Sequence, residues 1–262
     1  MEQKIYQVDA FADEVFSGNP AAVCPLQQWL PDKTMLQIAS ENNLSETAFY
    51  VKQGDRYELR WFTPTVEVDL CGHATLAAAY VLFNHENHPG DNIEFHSPRS
   101  GKLVVTRQGD LLTLNFPTDT IEPLALSDDI KTGFNLQPLA AFKGKTDIMV
   151  AFEKEEDIRN LVPNLGAIAR LQARGVIATA KGDNSDFVSR FFAPQVGVNE
   201  DPVTGSAHTT LIPFWAEKLG KNDLKAVQLS ARKGYLQCRY LGERVEIGGY
   251  GRLYMRGEIF LS

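Results

Sequence analysis

Apolar and polar positions alternate through residues 4–10, 21–26, 46–52, 57–62, 92–97, 102–107 and 111–116, the period expected of half-buried β-strands. Turn residues such as Gln53-Gly54-Asp55 and Gln108-Gly109-Asp110 separate neighbouring runs and predict hairpins. Two stretches break the alternation. Residues 32–43 predict an amphipathic helix with Met35, Leu36, Ile38 and Ala39 facing inward, lying outside the sheet. Residues 73–83 predict a helix that is apolar on nearly every side, and such a helix has to be enclosed by its surroundings. A sheet curled round one central helix meets that demand.

The pattern then recurs. Arg60-Trp61-Phe62-Thr63-Pro64-Thr65-Val66-Glu67-Val68 overlays Arg190-Phe191-Phe192-Ala193-Pro194-Gln195-Val196-Gly197-Val198 at a spacing of 130 residues. After a three-residue insertion the match resumes, with Cys71-Gly72-His73-Ala74 opposite Thr204-Gly205-Ser206-Ala207, each opening an apolar helical segment. Further on, Ser97 to Leu103 falls opposite Ser230 to Leu236, and Gly109-Asp110 opposite Gly242-Glu243. The shared order and near-constant spacing predict two homologous lobes, residues 1–117 and 118–262, with the last strand able to return to the first lobe. Pro, Thr, Ser and Asp between Pro117 and Asp129 mark the joint. The second lobe's central helix is expected over residues 206–219.

Composition narrows the function. The chain has 262 residues, 44 % hydrophobic and 23 % charged, which is ordinary for a globular protein with a sizeable core. A net charge of −7, with Lys and Arg scattered, argues against nucleic acid or an anionic membrane as partner. Cys24, Cys71 and Cys238 are odd in number and lack CxxC spacing, which points away from a disulfide framework and a structural zinc site and towards a reducing cytoplasm. The N-terminus alternates like a strand instead of carrying an apolar signal segment, and no apolar run approaches the length of a membrane span.

The candidate chemistry gathers at the two helix starts. A helix N-terminus presents free N–H groups and a partial positive charge, so the pair opened by Gly72 and Gly205 is suited to one small carboxylate if the lobes face each other. The alternative is that both glycines serve only tight turns. His73 reads as a base, a ligand donor or a satisfied buried imidazole. Cys71 reads as an activated nucleophile or as a small buried hydrophobe. A two-thiol racemase is absent as written, because Thr204 occupies the partner position and is no acid or base near neutral pH. For a metal, Cys71 and His73 supply two ligands with no neighbour in sequence to complete a tetrahedron. Glu46 and Asp201 are the remaining acid/base candidates, each also readable as a strand-end or turn residue. Lys143-Gly144-Lys145-Thr146 lacks the earlier glycine of a phosphate loop, and Ser206 with His208 lacks a nucleophile elbow.

Taken together, "VDAF" with "FSGNPAAV" (16–23), "NLSETAF" (43–49), "RWFTPTVEVDLCGHATLA" (60–77) and "EDPVTGSAH" (200–208) resemble the phenazine-biosynthesis PhzF-like family. The resemblance implies a diaminopimelate-epimerase-like α/β fold, two pseudo-symmetric lobes that are each a curved, mostly antiparallel sheet around a buried helix, with the active site in the cleft between them. It also implies a homodimer and an isomerase that uses neither cofactor nor metal. By position it carries proton transfer to Glu46, substrate orientation and assistance to His73 and Asp201, and the grip on the substrate carboxylate to Gly72, Gly205 and Ser206. Arg60 and Arg190, paired by the repeat, are expected to be structural. Three readings compete: a cofactor-independent isomerase of a small unsaturated, cyclic carboxylic acid, an amino-acid racemase built on Cys71, and a non-catalytic module that binds a metabolite or a protein.

Overall fold

The computed structural model describes residues 2–261. The chain divides into two compact units, Met1–Asn115 with Gly248–Ser262, and Phe116–Ile247. In chain order the elements begin with β1 (Glu2–Ala10), β2 (Asn19–Leu26), α1 (Asp32–Asn42), β3 (Glu46–Gln53), β4 (Arg56–Phe62), β5 (Glu67–Val68), α2 (Gly72–Asn84), β6 (Asn92–Ser97), β7 (Gly101–Gln108) and β8 (Leu111–Pro117). They continue with β9 (Glu122–Leu124), α3 (Asp128–Thr132), β10 (Ala140–Lys143), β11 (Ile148–Ala151), α4 (Glu155–Arg159), α5 (Leu165–Ile168), β12 (Val176–Lys181) and β13 (Phe187–Ala193). After a short 3₁₀ turn come β14 (Val198–Asp201), α6 (His208–Leu219), β15 (Asp223–Gln228), β16 (Gly234–Tyr240), β17 (Arg244–Gly249) and β18 (Gly251–Phe260).

In the first unit the strands run β18, β1, β2, β3, β4, β6, β7, β8. β2 is parallel to β3 and β4 to β6, while the other pairs are antiparallel. The alanine-rich α2 (GHATLAAAYVLFN) has high helix propensity, and all of its residues but Tyr80 and Asn84 are buried. It packs on β1, β2, β3 and β18. The opposite face of the sheet is covered by α1, whose Met35, Ile38 and Ala39 join Ala22, Cys24, Leu26, Phe49, Val51 and Phe62 in one cluster. The period of two along β2 explains both faces at once: Ala22, Cys24 and Leu26 meet α1, and the intervening positions look the other way.

The second unit repeats the construction. β11 is parallel to β12, β12 antiparallel to β13, β13 parallel to β15 and β15 antiparallel to β16. That is the order of β2, β3, β4, β6 and β7 in the first unit. The repeat extends to side chains. Arg60 clasps Glu67 with Nε–Oε1 at 2.7 Å and Nη2–Oε2 at 2.9 Å, and Arg190 clasps Glu200 at the same two distances. Each guanidinium also covers the phenylalanine two residues on, Phe62 at 5.1 Å and Phe192 at 5.0 Å. Such a bidentate, stacked arginine is held on all sides, which accounts for its recurrence as a structural strut.

α6 begins at His208, two residues later than the repeat predicts. The preceding turn is tightened by bonds from His208 N to Gly205 O (3.0 Å) and from Thr209 N to Ser206 O (3.1 Å). Inside α6, Pro213 has no N–H for the carbonyl of Thr209, and the Asp119 amide donates to that carbonyl at 3.2 Å. Asp119 Oδ2 accepts from Thr210 Oγ1 at 2.8 Å, so a helix-breaking residue is tolerated by a partner placed elsewhere in the same unit.

Gly18 sits at φ +68°, and a Cβ there would lie 2.2 Å from the carbonyl oxygen of Ala10. Gly18→Ala is expected to destabilise the protein by about 2–4 kcal/mol, the sum of left-handed strain and overpacking. Urea unfolding checks this; a midpoint equal to wild type would show that the loop relaxes freely.

Candidate active site

Glu46, Cys71 and His73 are far apart in sequence, and strand register brings them together. β3 and β4 are antiparallel with Thr47 opposite Phe62, so the chain leaving β4 emerges beside the start of β3 and enters α2 there. β2 and β3 are parallel with Ala21 opposite Glu46, which puts Asn19 at that same sheet end. The outcome is a compact group. His73 Nε2 lies 3.1 Å from Glu46 Oε2, and His73 Nδ1 lies 3.2 Å from Asn19 Nδ2 and 3.5 Å from Cys71 Sγ. His73 and Cys71 are buried, whereas 18 % of the Glu46 side chain remains accessible. Glu46 Oε2 is buried, and its approach to Nε2 is out of line for a hydrogen bond.

Electrostatics separates the roles. Burial works against a charge on His73, but the facing Cys71 sulfur and the Glu46 carboxylate outweigh it and hold the imidazole pKa well above its usual value. Burial pushes the Cys71 thiol up to about 11, with the Glu46 carboxylate adding to the effect. Cys71 is therefore a thiol at neutral pH. The expectation of an activated nucleophile fails for that reason: the gain from the helix start is smaller than the cost of burying a thiolate next to a carboxylate.

In the second unit Asp201 ends β14 within an ordered network. Thr204 Oγ1 donates to Asp201 Oδ2 at 2.5 Å, Gln228 Nε2 donates to the Asp201 carbonyl at 2.8 Å, and the Thr204 amide donates to Gln228 Oε1 at 2.9 Å. The residue standing where Cys71 stands in the first unit thus orients a carboxylate instead of carrying a thiol. Ser206 Oγ accepts from Arg174 Nη2 at 3.0 Å, and Arg174 Nε donates to the buried Asp147 at 2.9 Å. Gly72 opens α2 and Gly205 lies in the turn before α6, and both are buried. The repeat also relates Thr75 and His208: Thr75 Oγ1 donates to the Cys71 carbonyl at 2.6 Å, and His208 Nδ1 donates to the Thr204 carbonyl at 2.9 Å. His208 Nε2 is buried without a partner, and burial lowers this imidazole to about pH 4.

Sequence reasoning missed Asn19, Thr204 as a carboxylate holder, Gln228 and Arg174. Asn19 lies inside a motif that was legible, FSGNPAAV, but nothing local says that its amide meets an imidazole fifty-four residues away. Among the described residues, no helix is long and apolar enough to cross a membrane.

A family model described as phenazine biosynthesis-like protein matches residues 8–257. A Pseudomonas aeruginosa protein named as an uncharacterized isomerase is 51 % identical over 262 residues, covering all of both chains. A Halalkalibacterium halodurans protein, also named as an isomerase, is 42 % identical over 269 residues and again covers both chains in full. Among solved structures, a phenazine biosynthesis protein of the PhzF family from Enterococcus faecalis is 46 % identical, covers the whole of both chains and superposes with a TM-score of 0.97.

The two buried histidines are expected to differ at pH 7 by ¹H–¹⁵N NMR, His73 carrying protons on both nitrogens and His208 only on Nδ1. His208 takes up a proton more readily unfolded (about 6.5) than folded (about 4), so stability falls as pH drops through that window. His73 has the opposite sign: its contribution is complete below about 6.5 and is lost as pH rises through the raised folded value. A neutral His73 at pH 7 would remove the ion pair from the site.

Proposed function

Since the chain belongs to the phenazine biosynthesis-like family, we propose that it is an isomerase which moves a proton on a small unsaturated, cyclic carboxylic acid, with Glu46 as the acid/base and no cofactor. The observation that carries the reading is the 3.1 Å approach of Glu46 Oε2 to the buried ring nitrogen of His73. A carboxylate can remove a proton from carbon only if it is held within reach of it and is not spent on a better-aligned donor. Glu46 Oε2 meets that condition, being buried with no well-aligned hydrogen bond. In the reaction, Glu46 takes the proton from one ring carbon, the electron pair moves into the conjugated system, and the same carboxyl returns the proton to another carbon. His73 stabilises the carboxylate before and after each transfer and offers a cation to the electron-rich intermediate.

Asp201, fixed by Thr204, is assigned to the polar groups of the substrate, and Gly72, Gly205 and Ser206 to its carboxylate. Ser206 is suited to this because Arg174 supplies its hydroxyl with a charged donor, leaving the hydroxyl proton for an acceptor. The racemase reading loses support from the high Cys71 pKa and from Thr204, which leaves no pair of thiols. Loss of catalysis to a pure binding module has no support from the site, where Glu46, His73 and Asp201 are all retained. The homodimer implied by the resemblance and a cytoplasmic location consistent with three unpaired thiols belong to the same proposal.

Proton exchange in D₂O, followed by NMR with trans-2,3-dihydro-3-hydroxyanthranilate, the substrate that the resemblance to the PhzF-like isomerase implies, tests the assignment. Wild type should incorporate deuterium or isomerise the compound, Glu46→Gln should lose at least about 100-fold of that rate, and Cys71→Ser should stay within about tenfold. Activity that depends on Cys71 and ignores Glu46 would sink the proposal. Ser206→Ala is expected to raise KM about fivefold with little change in kcat, the loss of one carboxylate hydrogen bond worth ~1 kcal/mol; an unchanged KM would remove Ser206 from the carboxylate site.

A further inference from the structure

Sequence neighbours alone leave Cys71 and His73 as an incomplete ligand pair, but the fold adds a third donor. Cys71 Sγ, a ring nitrogen of His73 and a carboxylate oxygen of Glu46 all lie within 4.8 Å of one another, the one such group among the described residues. Nε2 is 3.1 Å from Oε2 and 3.9 Å from Sγ. In a tetrahedral zinc site, metal–nitrogen and metal–oxygen distances of about 2.0–2.2 Å and a metal–sulfur distance of about 2.3 Å set ligand atoms roughly 3.3–3.6 Å apart. The three donors, none more than 4.8 Å from another, would draw together to surround one ion. Thiolate and carboxylate together balance a divalent charge, and the sulfur favours a thiophilic cation over magnesium or calcium.

The outer contacts fit the same ion. A histidine that binds metal through Nε2 needs an acceptor for Nδ1–H, and the Asn19 amide stands 3.2 Å from Nδ1. Which end of that amide faces the ring is fixed by the proton it meets, so a half-turn of the amide presents oxygen to Nδ1–H. Asn19 is fully buried, which keeps the amide in place. The other two cysteines, Cys24 and Cys238, are also buried but belong to no such group.

Resting on the reading of Glu46 as the acid/base, we propose that Glu46, Cys71 and His73 form an inhibitory site for a thiophilic divalent cation such as zinc. The ion takes Sγ, Nε2 and one Glu46 oxygen, with water in the fourth position. Cys71 releases its thiol proton and His73 its Nε2 proton to solvent as the metal–sulfur and metal–nitrogen bonds form, with no change of oxidation state. The lone pair of Glu46 that would accept a substrate proton is then held by the metal, so the loaded protein cannot exchange protons.

Cobalt(II) reports the ligand set directly. Titration of the protein, freed of metal by chelator, is expected to give one cobalt per chain with a thiolate-to-cobalt charge-transfer band that zinc displaces and magnesium does not. Cys71→Ser should abolish the band, Cys238→Ser should leave it intact, and Asn19→Ala should weaken zinc binding about 10–100-fold in calorimetry, with circular dichroism confirming that each variant is folded. The absence of a band in wild type, or a band that survives in folded Cys71→Ser, would overturn the site. Zinc that binds at Cys71 yet leaves proton exchange untouched would overturn its inhibitory role. If exchange persists in Glu46→Gln, the acid/base reading fails, while the cobalt band still decides the metal site on its own.

Discussion

A helix with no polar face cannot lie on a surface, and that constraint organises the first unit. Burying α2 requires strands on all sides of it, and the sheet that supplies them must curl so far that the starts of β2 and β3 come level with the helix N-terminus. The same enclosure that removes eleven helical residues from water therefore collects Asn19, Glu46, Cys71 and His73 at one point. Hydrophobic burial is non-directional, but register is not, and here the second converts the first into a specific constellation.

The internal repeat separates what the construction needs from what the chemistry needs. Arginine–glutamate struts, the parallel and antiparallel strand sequence, and a side-chain bond back to the carbonyl four residues earlier recur in both units. The groups at the helix starts do not. One unit has a thiol and an imidazole beside a glutamate; the other has a threonine and a serine tied to an aspartate and an arginine.

Burial acts in opposite directions on the titrating groups, and the local anion decides which direction wins. His208, packed near Phe187 with only a carbonyl partner, is held neutral. His73, equally buried, is pushed the other way by the facing Cys71 sulfur and Glu46 carboxylate. Cys71 keeps its proton chiefly because burial disfavours the thiolate, and the Glu46 carboxylate adds to that. Glu46 therefore acts on both neighbours in the same sense, favouring the proton on each, and a metal ion that bound it would remove that effect.

Much of the architecture was legible in the amino-acid sequence. Strand periodicity located β1 to β4 and β6 to β8 to within about two residues, the all-apolar run located α2 to within one, and the repeat anticipated α6 with a start displaced by a tightened turn. The sequence alone determined these because period and propensity are local properties of the chain. It also contained the motifs that mark the family. Only the tertiary structure decided that Glu46 meets His73, that Asn19 holds the other face of the imidazole, that Gln228 links Thr204 to Asp201, and that Arg174 reaches Ser206. Those meetings follow from which strands pair and in what register, and no alternation of apolar and polar positions along one dimension specifies them.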